Sequence, residues 1–268
     1  MKQNYVISFY KYQGAGNDFV LIDNTKGDLT ISSRQIAQMC NRNIGIGSDG
    51  LMILEKDENY DFYMRYFNAD SSEVAMCGNG GRCIVLFAQH LGIIKDKTTF
   101  NSLDGVHTAE VIEDDGFNGT VRVKLIDVYG VADYKESMFL NTGVPHYIEF
   151  VKNVDFIDIQ KQGAEIRYNE RFKPEGTNAN FVEVTGDGTI KVRTYERGVE
   201  GETLACGTGA TASAIATCCK YQPNVTSFNI EVMGGNLKVD FEKVSKETFK
   251  NIYLEGPAKF VFKGEIYL

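Results

Sequence analysis

Two cysteines carry the part of this sequence that could do chemistry. Cys77 lies in Glu73-Val74-Ala75-Met76-Cys77-Gly78-Asn79-Gly80, and Cys206 lies 129 positions later in Glu202-Thr203-Leu204-Ala205-Cys206-Gly207-Thr208-Gly209. Each precedes Gly-x-Gly and then a helical pattern, which puts the sulfur at a helix N-terminus. The first N–H groups of a helix have no intrahelical partners, and the macrodipole leaves partial positive charge there. That field favours thiolate over thiol, so both sulfurs are expected to be good bases or nucleophiles. The flanking glycines let a substrate carboxylate approach the backbone. Two such sulfurs on opposite sides of one α-carbon have the geometry of a two-base racemase. One thiolate takes the α-proton, and the opposite thiol delivers another proton to the other face. The helix N–H groups would stabilise the charge that moves onto the carboxylate.

The elements around the cysteines repeat as well. Gly14–Val20 lies over Gly143–Glu149 at the same offset, and Ser48–Leu54 sits near Asn178–Val184. One unit therefore occurs twice in the same order. The alternation of Phe62, Met64 and Tyr66, and of Ile190, Val192 and Thr194, predicts a half-buried strand before each cysteine. Helices are predicted from Cys83 to Leu91, ended by Gly92, and from Ala210 to Lys220, ended before Pro223. The second has almost no charged face and must be enclosed. Further strands are predicted at Val20–Asp23, Gly119–Ile126, Tyr147–Val151, Ile230–Phe241 and Phe260–Leu268. The expected fold class is α+β. It comprises two pseudo-symmetric lobes, each a strand-rich, barrel-like sheet around a central helix, with the active site in the cleft between them. The lobes are placed at 1–125 and 126–257, with 258–268 returning to the first.

Composition narrows the partners. The 268 residues carry 28 Lys+Arg against 36 Asp+Glu, a net charge of −8 without a basic cluster, which argues against nucleic acid and a polybasic membrane patch. No apolar run is long enough to span a bilayer, and the start lacks the pattern of a secretory signal, so a cytoplasmic protein is expected. Six cysteines are too sparse for a disulfide scaffold. Cys40, Cys83, Cys218 and Cys219 lack the Gly-x-Gly context and read as packing residues. His90, His107 and His146 are too scattered to make a metal site with the cysteines, and Gly14-Ala15-Gly16 lacks the later glycine of a dinucleotide loop. Neither a metal nor a cofactor is expected.

The motifs Gly-Ala-Gly-Asn-Asp-Phe (14–19), Gly-Ile-Gly-Ser-Asp-Gly (45–50), Phe-Asn-Ala-Asp (67–70), Cys-Gly-Asn-Gly-Gly-Arg-Cys (77–83), Pro-His (145–146), Tyr-Glu-Arg-Gly (195–198) and Ala-Cys-Gly-Thr-Gly-Ala (205–210) resemble the diaminopimelate epimerase family over nearly the whole chain. The resemblance implies conversion of LL- to meso-2,6-diaminopimelate without pyridoxal phosphate, in lysine and peptidoglycan synthesis, by a homodimer of two-lobed subunits. It implies Cys77 and Cys206 as the acid–base pair, and Gly78, Asn79, Gly207 and Thr208 as anchors for the reacting carboxylate. Asn17, Asn68, Asn178, Glu196 and Arg197 are implied at the distal end of the substrate, and His146 and Glu196 as groups that tune the thiols. Three features depart from the commonest pattern: Gly50 in place of glutamine, Val144 in place of asparagine, and one extra residue between Glu196 and Cys206. Two other readings stay open, a related cofactor-independent racemase of the proline or hydroxyproline type, and a pair of non-catalytic lobes closing on a zwitterion.

Overall fold

Runs such as Phe19-Val20-Leu21-Ile22 and Leu51-Met52-Ile53-Leu54 are apolar at successive positions, so strands built from them need cover on both faces. The computed structural model, which describes residues 6–268, supplies that cover twice. The chain divides into two units, residues 6–123 with 257–268, and Lys124–Gly256. The strands of the first are β1 (Val6–Gly14), β2 (Asn17–Asn24), β3 (Gly50–Glu55), β4 (Tyr63–Asn68), β5 (Glu73–Val74), β6 (Lys97–Ser102), β7 (Gly105–Asp114) and β8 (Asn118–Lys124). Those of the second are β9 (Val128–Tyr129), β10 (Val131–Asp133), β11 (Ser137–Asn141), β12 (Pro145–Phe150), β13 (Asn178–Gly186), β14 (Thr189–Glu196), β15 (Gly201–Thr203), β16 (Ser227–Val232) and β17 (Gly235–Lys243). The last strand, β18 (Thr248–Tyr267), contributes to each. The helices are α1 (Ser33–Cys40), α2 (Gly78–His90), α3 (Ile159–Arg167) and α4 (Gly207–Lys220).

In the first unit, β1–β2 is antiparallel, β2–β3 parallel, β3–β4 antiparallel, β4–β6 parallel, and β6–β7 and β7–β8 antiparallel. Pairing of β18 with β8 and with β1 closes this ring into an eight-stranded barrel. The second unit repeats the succession: β11–β12 antiparallel, β12–β13 parallel, β13–β14 antiparallel, β14–β16 parallel, then β16–β17 and β17–β18 antiparallel. There β18 meets β9, and β10 meets β11. The duplication read from the sequence is thus a duplication of topology.

The sheet of each unit wraps one helix. Residues Cys83 to Ala88 of α2 are all fully buried, packed with Phe19, Leu21, Met52, Leu54, Phe62 and Phe100 from the surrounding strands. The buried residues of α4 are small, with Ala210, Ala212, Ala214 and Ala216 among them, and its buried hydroxyls are satisfied within the helix: Thr211 donates to Gly207 O, Ser213 to Gly209 O and Thr217 to Ser213 O. The opposite parity of the strands packs outward. Val20, Ile22, Leu51 and Ile53 meet Ile36 and Met39 of α1, and Ala179, Phe181 and Tyr195 meet Ile159 of α3.

Three local expectations are corrected. The barrel helices start at Gly78 and Gly207, several residues before Cys83 and Ala210, because helical backbone extends through the glycines to the cysteines. The stretch Ile230–Phe241 is a hairpin, β16 turning into β17, rather than one strand. Cys40, Cys83 and Cys218 are buried as packing residues, but Cys219 is only half-buried.

Candidate functional site

Cys77 is the N-cap of α2, and its Sγ accepts the Gly80 N–H at 3.2 Å. It thereby replaces the hydroxyl or carboxylate oxygen that more often caps a helix. Gly78 and Asn79 follow as the first buried residues of the helix. Asn79 Nδ2 donates to Asn17 Oδ1 at 3.4 Å, and Asn17 Nδ2 donates to Asp49 Oδ2 at 2.5 Å, which links the helix start to the start of β2. Asp49 shares Arg42 with Asp18, and Asp18 holds the largely buried Lys11 at 2.6 Å. Burial works to raise the Asp18 pKa, yet hydrogen bonds from Arg42 and Lys11 outweigh it and hold the carboxyl below its ordinary value. Asn68 ends β4, with its Nδ2 turned into its own loop toward Ser72 Oγ at 3.4 Å.

In the second unit Cys206 caps α4 in the same way in sequence but differently in geometry. It makes no side-chain cap bond, and its Sγ lies 3.5 Å from Thr208 Oγ1. Thr142 Oγ1 donates to Thr208 O at 2.9 Å, tying the helix start to the loop after β11. His146 on β12 is paired in register with Asn178 on β13 and is fully buried. Asn178 Oδ1 accepts the Arg197 N–H at 2.8 Å, and its Nδ2 donates to Pro145 O at 3.0 Å. The Arg197 guanidinium donates to Glu175 O at 3.2 Å, and Glu196 accepts from Thr203 Oγ1 at 2.8 Å.

The structure also places a residue that sequence reasoning missed. Asn180 is fully buried. Its Nδ2 donates to His146 Nδ1 (3.1 Å) and Tyr147 O (3.0 Å), and its Oδ1 accepts from Thr194 Oγ1 (2.9 Å). A Cβ on Gly209 would stand 2.4 Å from Asn180 Oδ1 and 3.3 Å from Cys206 Sγ. Asn180 therefore occupies the space beneath the first turn of α4. The signal was present in the sequence: Asn178 and Asn180 share parity at the start of a strand that runs on into apolar Phe181 and Val182. His146 Nε2 is buried and has no hydrogen-bond partner among the described residues. Burial pushes the His146 pKa down to about 3, with the Asn180 contact opposing that shift and Arg197 adding to it. The imidazole is therefore neutral.

Each unit thus presents a cysteine at a helix N-terminus with carboxamide or hydroxyl side chains close to it, a surface for a carboxylate with a thiol beside it. Among the described residues no group of three or more His, Cys, Asp or Glu is placed to hold a metal ion, and no helix is long and apolar enough to cross a membrane.

A family model for diaminopimelate epimerase matches residues 9–125 and 138–261. A diaminopimelate epimerase of Flavobacterium psychrophilum is 46% identical over 264 residues, covering 97% of this chain and 100% of that protein. Among solved structures, a PhzF-family phenazine biosynthesis protein of Bacillus anthracis superposes with a TM-score of 0.76 at 14% identity, covering 98% of this chain and 100% of that one. A hydroxyproline epimerase of Agrobacterium vitis, with trans-4-hydroxy-L-proline bound, superposes with a TM-score of 0.71 at 14% identity over 99% and 94% of the two chains. At that identity the two structures share the fold.

Proposed function

The chain belongs to the diaminopimelate epimerase family, a family of isomerases, and from that premise we propose that it interconverts LL- and meso-2,6-diaminopimelate by two-base chemistry at Cys77 and Cys206, without pyridoxal phosphate. The observation that carries the reading is the duplicated helix cap, a cysteine at the N-terminus of a buried helix in each unit. The α-hydrogen of an amino acid is only weakly acidic, and its removal puts charge onto the carboxylate. Backbone N–H groups at Gly78, Asn79, Gly207 and Thr208 are suited to receive that charge without reorganising. One sulfur removes the proton as thiolate while the other, as thiol, protonates the opposite face.

In this reading Asn17, Asn68, Asn178, Glu196 and Arg197 recognise the distal amino-carboxylate, with the Arg197 fork suited to a carboxylate. Glu196 and the neutral His146 tune the thiols. The enzyme works as a homodimer in the cytoplasm, supplying lysine and peptidoglycan synthesis. The proline-type alternative has the shared fold behind it, whereas the family match favours diaminopimelate.

The test is incubation of the reduced protein with LL-diaminopimelate in deuterated water. Meso product carrying one α-deuterium is expected, with epimerisation lost in both Cys77→Ala and Cys206→Ala. No turnover of LL-diaminopimelate alongside turnover of hydroxyproline would replace this reading with the alternative.

A further inference from the structure

The motif Cys77-Gly78-Asn79-Gly80-Gly81-Arg82-Cys83 contains a charge that the reaction above leaves unused. Arg82 is 0% exposed. Its Nη1 donates to Gly78 O (3.1 Å), its Nη2 to Asn79 Oδ1 (2.9 Å) and its Nε to Pro257 O (3.2 Å). All three acceptors are neutral, and a buried cation without a counter-charge is costly. Burial pulls the Arg82 pKa down, and Cys83 and Cys77 act against that pull. Of these two thiols, Cys83 is wholly enclosed and burial drives its pKa up. Cys77, half-buried and joined directly to the Gly78 whose carbonyl the guanidinium holds, is the other thiol whose charge acts on Arg82.

The second unit treats the same position differently. Thr211 stands 129 residues after Arg82 and donates its Oγ1 to Gly207 O at 2.9 Å, the carbonyl equivalent to that of Gly78. A cation in one unit is thus a neutral hydroxyl in the other. The caps differ in geometry as well. Cys77 Sγ accepts a backbone N–H, an interaction that favours its charged form, whereas Cys206 Sγ lies near the Thr208 hydroxyl.

We propose that Arg82 sets the resting proton distribution of the two cysteines, with Cys77 as the thiolate and Cys206 as the thiol. Arg82 is a positioning residue, acting through the first turn of α2 and through Cys77, and the proposal rests on the reading of both cysteines as the acid–base pair. It gives the resting enzyme a direction. The substrate Cα–H bond breaks as an S–H bond forms on Cys77, and the electron pair passes into the carboxylate-stabilised carbanion. The Cys206 S–H bond then breaks as the new Cα–H bond forms. The turnover leaves Cys206 as thiolate, and exchange with solvent restores the starting state.

The charged groups paired on elements packed against α2 are engaged away from Cys77: Glu55 at the end of β3 accepts from Asn24, and the Tyr10 ring of β1 packs on Phe87. On β1 and β2, Lys11 pairs with Asp18, and the Tyr12 hydroxyl bonds His90 at the far end of the helix. On β7, His107 pairs with Asp104, Glu110 with Lys97, and Asp114 with His90.

The experiment is alkylation of the substrate-free, reduced enzyme by iodoacetamide across a pH series, with the rate at each cysteine read by peptide mass spectrometry. Accessibility scales a rate, while the pH midpoint reports the thiolate. The Cys77 midpoint is expected to lie below that of Cys206 in the wild type and to rise by about 1–3 pH units in Arg82→Met, with Cys206 unmoved. Arg82→Lys keeps the charge and is expected to keep the low midpoint. A purely structural role would lower thermal stability in both variants and leave the midpoints alone, which overturns the proposal. So does a wild-type enzyme in which Cys206 has the lower midpoint, a comparison that stands even if Arg82→Met does not fold. Substrate is absent throughout, so failure to epimerise diaminopimelate and failure of this inference are separate outcomes.

Discussion

Asn180 Nδ2 lies 3.1 Å from His146 Nδ1, and because the same Nδ2 also donates to Tyr147 O while Oδ1 accepts from Thr194, the amide presents a donor to the ring. Nδ1 is therefore the acceptor, and the imidazole proton sits on Nε2.

That arrangement makes a prediction about acid stability. The folded-state His146 pKa is pushed down from 6.5 to about 3. Between those values the unfolded chain binds the proton and the folded chain does not, so stability is present above pH 6.5 and is lost as pH falls toward 3. The contribution is at most about 1.4 kcal/mol per pH unit. Urea unfolding of wild type and His146→Gln between pH 4 and 7 is expected to show a shallower decline in the variant, which has no imidazole to titrate. Parallel slopes would show that His146 is charged in the folded state.

A second prediction concerns the two helix starts. A methyl group on Gly209 would meet Asn180 Oδ1 at 2.4 Å, an atom fixed by Thr194, so Gly209→Ala is expected to cost about 1–3 kcal/mol and to displace Cys206. At Gly80 the nearest atoms are Cys77 Sγ at 3.1 Å and the flexible Met52 Sδ at 3.3 Å, which can yield. Gly80→Ala is expected to be the milder change in thermal midpoint and in kcat/KM. Equal losses at the two positions would contradict the role given to Asn180.

The pattern of what could be read from the chain follows the same physics. The two cysteine turns, the barrel helices and the duplication were legible because they depend on local spacing and self-similarity. Helices α1 and α3 were not found, although Ser32 and Gln35 form a capping box and Asp158 caps α3. Each is short and covers only the outer face of strands whose apolar runs do not reveal a second layer. Asn180, Arg82 and Asp49 were missed as partners because their importance lies in tertiary hydrogen bonds between elements distant in sequence. For Arg82 a signal existed, a lone charge in an otherwise uncharged helix start.

The Lys11–Asp18 pair gives a third prediction. Lys11 is largely buried and also donates to Gly47 O. Asp18→Asn leaves the ammonium without its carboxylate and is expected to destabilise by about 3–5 kcal/mol, while Lys11→Met in the same background should restore much of the loss. The Asp18 contribution is present above the ordinary carboxylate pKa and fades as pH falls through its lowered folded value. Urea midpoints of the four members of the cycle at pH 7 measure the coupling, and additive effects would show that the pair contributes nothing beyond its separate members.

Burial keeps the His146 ring neutral, and Asn180→Asp tests whether the amide facing Nδ1 fixes which nitrogen carries the proton. The wild-type ring, neutral with its proton on Nε2, is expected to show no titration between pH 5 and 8 in nitrogen-15 NMR of labelled protein. The substitution removes the donor that faces Nδ1 and puts a carboxylate acceptor there, which stabilises a proton on that nitrogen and the cation that results. Both ring nitrogens should then carry protons at pH 6, and the charge introduced into the second unit should move the pH profile of kcat. Thr194→Val is the accompanying control. It removes the hydroxyl that holds Oδ1 but leaves the Tyr147 carbonyl to orient Nδ2, so the neutral ring should persist. A wild-type ring that titrates near pH 6.5 would remove burial as the cause of its neutrality, and an Asn180→Asp variant whose ring stays neutral would show that the residue facing Nδ1 does not control its protonation.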